Sequence, residues 1–158
     1  MRSLQADLRD QWDLRNEKAR ITWGEEVQQD LHWWQEEGRL AKGCPLQSIP
    51  PDLAFWSDAS DQGWGAHISD QLSNQYTTGL WSEEERKLSI NMREIRAVRL
   101  GLLQFQEVVQ DKVVALFSDN TTTIAYLRNQ GGTHSRNRNQ EAQEILRWAE
   151  KFGVIIRP

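Results

Sequence analysis

The chain has 158 residues, a formal charge of −4 at pH 7, and eight Trp against two Tyr, which suits one medium domain with its own core plus an extension. Cys44 is the only cysteine, which excludes an intramolecular disulfide framework and a cysteine-based zinc cluster and leaves an ordinary loop thiol. The acidic balance argues against a surface built throughout to hold phosphates, while the absence of an apolar run of about eighteen residues or of a charged-then-apolar leader gives the expectation of a soluble, intracellular chain, cytoplasmic or nuclear, with no membrane partner.

Residues 1 to about 50 read as a separate helical piece of mixed charge. Thr22 and Glu25 have the spacing of a capping box, Val27, Leu31 and Trp34 recur at i, i+4 and i+7, and Gly38 offers a stop. Pro50 and Pro51 forbid continuation, so the expected division is a segment 1–51 and a domain 52–158. The adjoining Trp33 and Trp34 either bury against the chain's own core or anchor a partner's surface.

After the prolines, "LAFWSD" and "GWGAHISD" read as strands around a turn at Ser60 to Gly63, and "QYTTGLWS" reads as a third. Their short spacing predicts an antiparallel meander. A helix follows from about Asn91, then a strand over "KVVALFSD", a helix over "TTTIAYLRN", a break at Gly131-Gly132, and a helix near Asn139 to Phe152. Ala142, Ile145, Ala149 and Phe152 line one face of that last helix and Gly153 ends it. "VIIRP" begins a final strand.

Two apolar runs stop on the same pair of residues, Ser57-Asp58 and Ser118-Asp119. A continuous apolar run reads as a strand covered on both faces, which carries the residue at its end to the rim of a buried sheet. One Ser-Asp alone reads first as a turn or a helix N-cap; the repetition weakens that reading in favour of two carboxylates side by side. In "NMREIRAVRLGLLQFQ", steps of roughly 100° per residue place Glu94 inside the stripe of Ile95, Val98, Leu102 and Phe105, with Arg93, Arg96 and Arg99 on the polar side. A carboxylate facing a sheet is costly unless it is paired, hydrogen-bonded or bound to a metal. Asn91 and Glu94 also have capping-box spacing, which would keep Glu94 near solvent. With Asp58 and Asp119 aimed at the same rim, the three acids form a candidate metal cluster. Hard oxygen ligands without Cys or His suit Mg²⁺ or Mn²⁺.

From Thr121 to Gln140 the chain holds Arg128, Arg136 and Arg138 and no acid, a local patch for phosphates or a solvated loop with incidental charge. His134 in this Gly-rich loop reads as an exposed polar histidine, with a ligand or general base as the alternative.

A strand ending in Asp58, a three-strand meander, Glu94 on the next helix and Asp119 after the fourth strand resemble the order of the ribonuclease H family. "SDASDQGWGAH", "GLWSEEERKLSINMREIRAVRLGL", "SDNTTTIAYLRNQGGTHSRN" and "ILRWAEKFGV" resemble the ribonuclease H region of DIRS-type, tyrosine-recombinase retrotransposons. "MRSLQADLRDQWD" and "WWQEEGRLAKGCPL" are similar to the tail of the reverse transcriptase that precedes it in one polyprotein. The resemblance implies an α/β fold: a mixed five-stranded sheet, three strands antiparallel and two parallel, with flanking helices. It implies endonucleolytic cleavage of the RNA strand of an RNA-DNA hybrid with two Mg²⁺ (or Mn²⁺) ions, Asp58 bridging both, Glu94 on the leaving-group side and Asp119 on the nucleophile side. Partners would be the hybrid and the reverse transcriptase domain. Family members carry a fourth acid on a helix after the fifth strand, in a stretch resembling "ADALSR", and this sequence stops at Pro158 before such a helix. A catalytically silent module of the same fold, binding nucleic acid or a protein, is the alternative expectation.

Overall fold

The computed structural model describes residues 2–12, 16, 18–35, 38, 49–70, 72–132 and 134–158, in two compact units, 1–48 and 49–158. Cys44 lies outside the described residues. In the first unit α1 (Arg2–Gln11) packs on α2 (Glu25–Gln35). The Ser3 hydroxyl donates to the Asp30 carboxylate, and Asp7 accepts the Gly24 N–H at 2.8 Å, just ahead of α2. The capping box expected at Thr22 does not form. Because α2 starts at Glu25, Thr22 lies outside it and pairs its N–H and C=O with the Gln11 side-chain amide, at 2.9 and 2.8 Å. The i, i+4, i+7 row is also not a buried stripe: Val27 is buried, whereas Leu31 and Trp34 are 42% and 46% exposed. Trp33 and Trp34 meet edge to face with centroids 5.2 Å apart.

In the second unit the three segments around short turns become β1 (Leu53–Ala59), β2 (Gly63–Ser69) and β3 (Asn74–Leu80), an antiparallel meander. The Ser60 side chain closes the first turn by accepting the Gly63 N–H at 3.1 Å. The apolar runs 113–117 and 155–157 become β4 (Val113–Phe117) and β5 (Ile155–Arg157), β4 parallel to β1 and β5 parallel to β4, so that the order is β3-β2-β1-β4-β5. Parallel neighbours require crossovers. Between β3 and β4 run α3 (Glu83–Arg86), α4 (Ile90–Gln104) and α5 (Gln106–Val109); between β4 and β5 run α6 (Thr121–Arg128) and α7 (Arg136–Lys151). No helix among the described residues is long and apolar enough to cross a membrane.

The helix ends follow local chemistry. Ser82 and Glu85 form a reciprocal capping box that starts α3, a short helix the periodicity did not reveal. The Asn120 side chain caps α6 by accepting the Thr123 N–H at 2.9 Å, and Ser135 caps α7, which therefore begins three residues before the expected Asn139. Gly153, at φ +65°, ends α7: its N–H bonds the Glu150 carbonyl and the Val154 N–H bonds the Ala149 carbonyl, the pairing of a Schellman stop.

The core lies between one face of the sheet and α4, α6 and α7, with Phe55, Ile68, Val114 and Leu116 meeting Ile95, Val98, Leu102 and Ile145. The expectation that these strands are covered on both faces is corrected among the described residues. Along β1, Leu53, Phe55, Ser57 and Ala59 are buried while Asp58 is exposed. Because successive side chains alternate, the other face carries a stacked row, Tyr76–His67–Trp56–Phe117, with neighbouring centroids 5.3, 4.3 and 5.2 Å apart. Tyr76 and Phe117, at its ends, are exposed.

Helix α4 is enclosed more fully than a one-sided amphipathic helix. It lies tight against the sheet at Gly101, where an added Cβ would lie 2.6 Å from the Ala66 Cβ and 2.8 Å from the Phe55 ring. Gly101→Ala therefore sets a gain in helix propensity of about 1 kcal/mol against overpacking of about 1–3 kcal/mol. Net destabilisation of the second unit is the expected outcome in urea unfolding, and a gain in stability would show that α4 has room to move off the sheet.

Candidate metal centre

Asp58 and Asp119 come together through strand register. Trp56 pairs with Phe117 across parallel β1 and β4, so two residues further along each chain the two acids lie side by side, at the roughly 4.8 Å spacing of neighbouring strands. They are not equivalent strand ends, as the repeated Ser-Asp suggested. Asp58 sits inside β1, opposite Gly65 of β2, whereas Asp119 follows β4 in the loop to α6. The serines differ too: the Ser57 hydroxyl is buried in the core, and the Ser118 hydroxyl accepts the Asn120 N–H at 3.2 Å.

Glu94 reaches the pair from α4. The capping-box alternative for it is ruled out by the helix start: Ser89 is the N-cap, so Asn91 lies within the first turn, where its side-chain carbonyl accepts the Asn120 amide at 2.8 Å. Glu94 is buried, 4% exposed, against the sheet rim. One carboxylate oxygen each from Asp58, Glu94 and Asp119 lie within 4.8 Å of one another.

The electrostatics follow from that crowding. Burial disfavours the charged form of Glu94, the Asp58 and Asp119 carboxylates repel it, and together they raise its pKa from 4.5 to about 7. A hydrogen bond from the Ala59 N–H and the Arg93 charge act in the opposite direction but more weakly. That same N–H donates to Asp58 Oδ1 at 2.8 Å. Glu94 Oε2 is buried with no hydrogen-bond partner among the described residues. Three converging hard oxygen donors, one of them buried and unsatisfied, fit a divalent cation of the Mg²⁺ or Mn²⁺ type. A groove of about 560 Å³ leads away from the acids along Trp56, His67, Tyr76 and Phe117.

The three arginines of α4 are not on a solvated side. Arg93 is 7% exposed and donates to the Ser60 carbonyl at 2.9 Å and to Asp61 at 2.7 Å. Arg96 binds Glu141, 2.7 Å from its Nε, and lies 3.5 Å from Glu85; Arg99 reaches Glu144 at 2.7 Å and Glu141 at 3.1 Å. The periodicity of α4 missed this because α7 supplies the acids. The matching i, i+3 spacings, Arg96/Arg99 and Glu141/Glu144, were the available signal. Of the basic residues expected at a phosphate, Arg128 and Arg136 are exposed at the end of α6 and the start of α7, and Arg138 lies over the Tyr126 ring, 5.5 Å from its centroid. They lie on either side of the connection between α6 and α7, in the stretch that follows Asp119, and His134 within it is exposed.

No model of a known protein family matches the sequence, and no curated protein matches it. Solved structures do. The N-terminal RNase H domain of a Mycobacterium tuberculosis protein aligns at 13% identity with a TM-score of 0.50, over 69% of this chain and 81% of that one. LC11-RNase H1, solved in complex with an RNA/DNA hybrid, aligns at 12% identity and a TM-score of 0.50, over 66% of this chain and 83% of that one. A foamy viral protease-reverse transcriptase, solved in complex with double-stranded DNA, aligns at 12% identity and 0.50, over 90% of this chain and 26% of that one. The fold is that of the ribonucleases H. The mixed sheet, three strands antiparallel and two parallel, agrees with the order expected from the motifs.

The raised pKa of Glu94 sets the sign of a pH effect. Between about pH 4.5 and pH 7 the metal-free folded state holds a proton that the unfolded chain has released, so stability falls as pH rises through that window. Divalent cation should oppose this by favouring the ionised cluster. The expected thermal midpoint therefore drops across the window in EDTA and rises on adding millimolar Mg²⁺ at pH 7.5. Glu94→Gln should remove both responses; an unchanged Mg²⁺ response in that variant would take Glu94 out of the site.

Proposed function

We propose that this chain is a ribonuclease H type nuclease domain that hydrolyses the RNA strand of RNA-DNA hybrids with divalent metal, as part of a retrotransposon reverse transcriptase of the DIRS type. The observation that carries the reading is the convergence of Asp58, Glu94 and Asp119 on one rim of a ribonuclease H sheet. In this reading residues 1–51 are the tail of the reverse transcriptase and 52–158 the nuclease domain. The likeness of the motif segments to that retrotransposon class supports the assignment.

Asp58, Glu94 and Asp119 would hold the metal, Mg²⁺ or Mn²⁺, with two ions in the complete site. Bound there, the metal would make water nucleophilic at neutral pH and neutralise charge on the leaving oxygen of an in-line displacement. The chain's own contribution is positioning. Parallel register sets Asp58 beside Asp119, the Ala59 N–H orients the Asp58 carboxylate, and the enclosed α4 holds Glu94 against both. Rigid secondary structure suits this role, because small misplacements at such a site are costly. Arg128, Arg136 and Arg138 would contact the phosphates of the hybrid.

Two measurements test this. Cleavage of an end-labelled hybrid in Mg²⁺ should fall by at least about 10²-fold in Asp58→Asn, the upper range of what losing a metal-site partner costs. Hybrid that is bound and never cut would instead favour the silent module. Replacing Arg128, Arg136 and Arg138 together by Ala should weaken binding across sequences and flatten the slope of log affinity against log salt by about 2–3. An unchanged slope would remove them from the interface.

A further inference from the structure

Arg93 is the residue before Glu94, yet it points to a different neighbour. The residue is 7% exposed, at a position where periodicity expects solvent. Taking a cation out of water is costly unless its donors are used, and its two terminal nitrogens are used on the turn that leaves β1: one donates to the Ser60 carbonyl at 2.9 Å, the other to Asp61 at 2.7 Å. The Asp61 side chain is 93% exposed, so that ion pair contributes little. The Ser60 carbonyl is the contact that matters. The Trp81 indole N–H also donates to it, at 2.9 Å, and the Trp81 N–H bonds the Gln62 carbonyl at 3.0 Å.

The clamped turn begins one residue past Ala59. Ala59 is buried, and its N–H donates to the Asp58 carboxylate at 2.8 Å. Arg93 thus ties the helix that carries Glu94 to the strand end that carries Asp58, through atoms that touch neither carboxylate. The other arginines of α4 do not have this geometry, since Arg96 and Arg99 reach acids on α7 and α3.

We propose that Arg93 is a positioning residue for the metal centre: its bond to the Ser60 carbonyl holds the β1–β2 turn on α4 and so fixes the separation of Asp58 and Glu94. This rests on the metal-site reading above. Support for a ligand's orientation from a residue outside the ligand set typically changes metal affinity by about 10- to 100-fold when removed.

The experiment is Mn²⁺ titration of the full chain by electron paramagnetic resonance and Mg²⁺ titration by calorimetry, at a temperature well below each variant's unfolding midpoint in EDTA. Arg93→Met keeps the volume and the apolar stem and should lower affinity about tenfold, with a broader Mn²⁺ spectrum from a less uniform site. Arg93→Lys keeps the charge but not the fork and should lie between Arg93→Met and the unsubstituted chain. Arg99→Met, which breaks pairs to α7, should lower the unfolding midpoint and leave metal affinity within about twofold. Asp61→Asn should also leave it within about twofold. Folded Arg93→Met with unaltered affinity overturns the proposal, as does a loss that Arg99→Met matches, since that would be a general effect of loosening α4. Should Arg93→Met not fold, Arg93→Lys takes its place, and unaltered affinity in that variant overturns the proposal. Absence of Mn²⁺ binding in the unsubstituted chain would overturn the metal-site reading itself and the role of Arg93 with it, whereas binding abolished by Asp58→Asn but indifferent to position 93 would overturn Arg93 alone.

Discussion

Three carboxylates with oxygens within 4.8 Å of one another repel, and the fold nonetheless holds them together. Burial of Glu94 makes the repulsion stronger, because less water surrounds its carboxylate to screen it. The ionised cluster is therefore a strained arrangement of the folded chain. Everything that keeps α4 and the rim of the sheet in place works against that strain, and a divalent cation would relieve it.

What keeps α4 in place is contact on three sides. Below it, Gly101 lets the helix backbone approach Phe55 and Ala66. Beside it, Arg96 and Arg99 face Glu141 and Glu144 of α7. On the opposite flank Ala97 packs with Ala59 and Trp81, and Arg93 grips the β1–β2 turn. Of these contacts, the pairs to α7 serve the stability of the helix, whereas the buried Arg93 serves orientation, where an apolar residue would serve stability at least as well. The position of a carboxylate depends on the rotation and depth of its helix, so directional contacts suit a helix whose task is to aim one side chain.

The sheet face away from these helices has a different character. Its aromatic rings stack on one another across four strands, with Tyr76 and Phe117 exposed at the two ends of the row. The groove beside them opens directly from Asp58 and Asp119. The same strand alternation that sends Phe55 into the core sends Trp56 and Asp58 to this side, and the acids consequently lie at the border between a dry core and an accessible groove.

The sequence by itself determined the kinds and order of the main elements of the second unit and singled out the three acids of the candidate site. Short spacing around turns marked the meander, apolar runs marked β4 and β5, Gly153 marked the end of α7, and Glu94 stood out as an acid within an apolar stripe. These features are local: they depend on a residue, its neighbours and one dominant burial direction. Only the tertiary structure decided which residues meet. It turned Arg93 from a solvated side chain into a buried clamp, gave Arg96 and Arg99 partners forty-five residues away, and left Leu31 and Trp34 exposed where periodicity expected burial. The physical reason is that a helical period records the side on which a helix is most apolar, whereas burial and pairing depend on every element packed around it. Those elements are brought into contact by the order of strands in the sheet, which no stretch of local sequence contains.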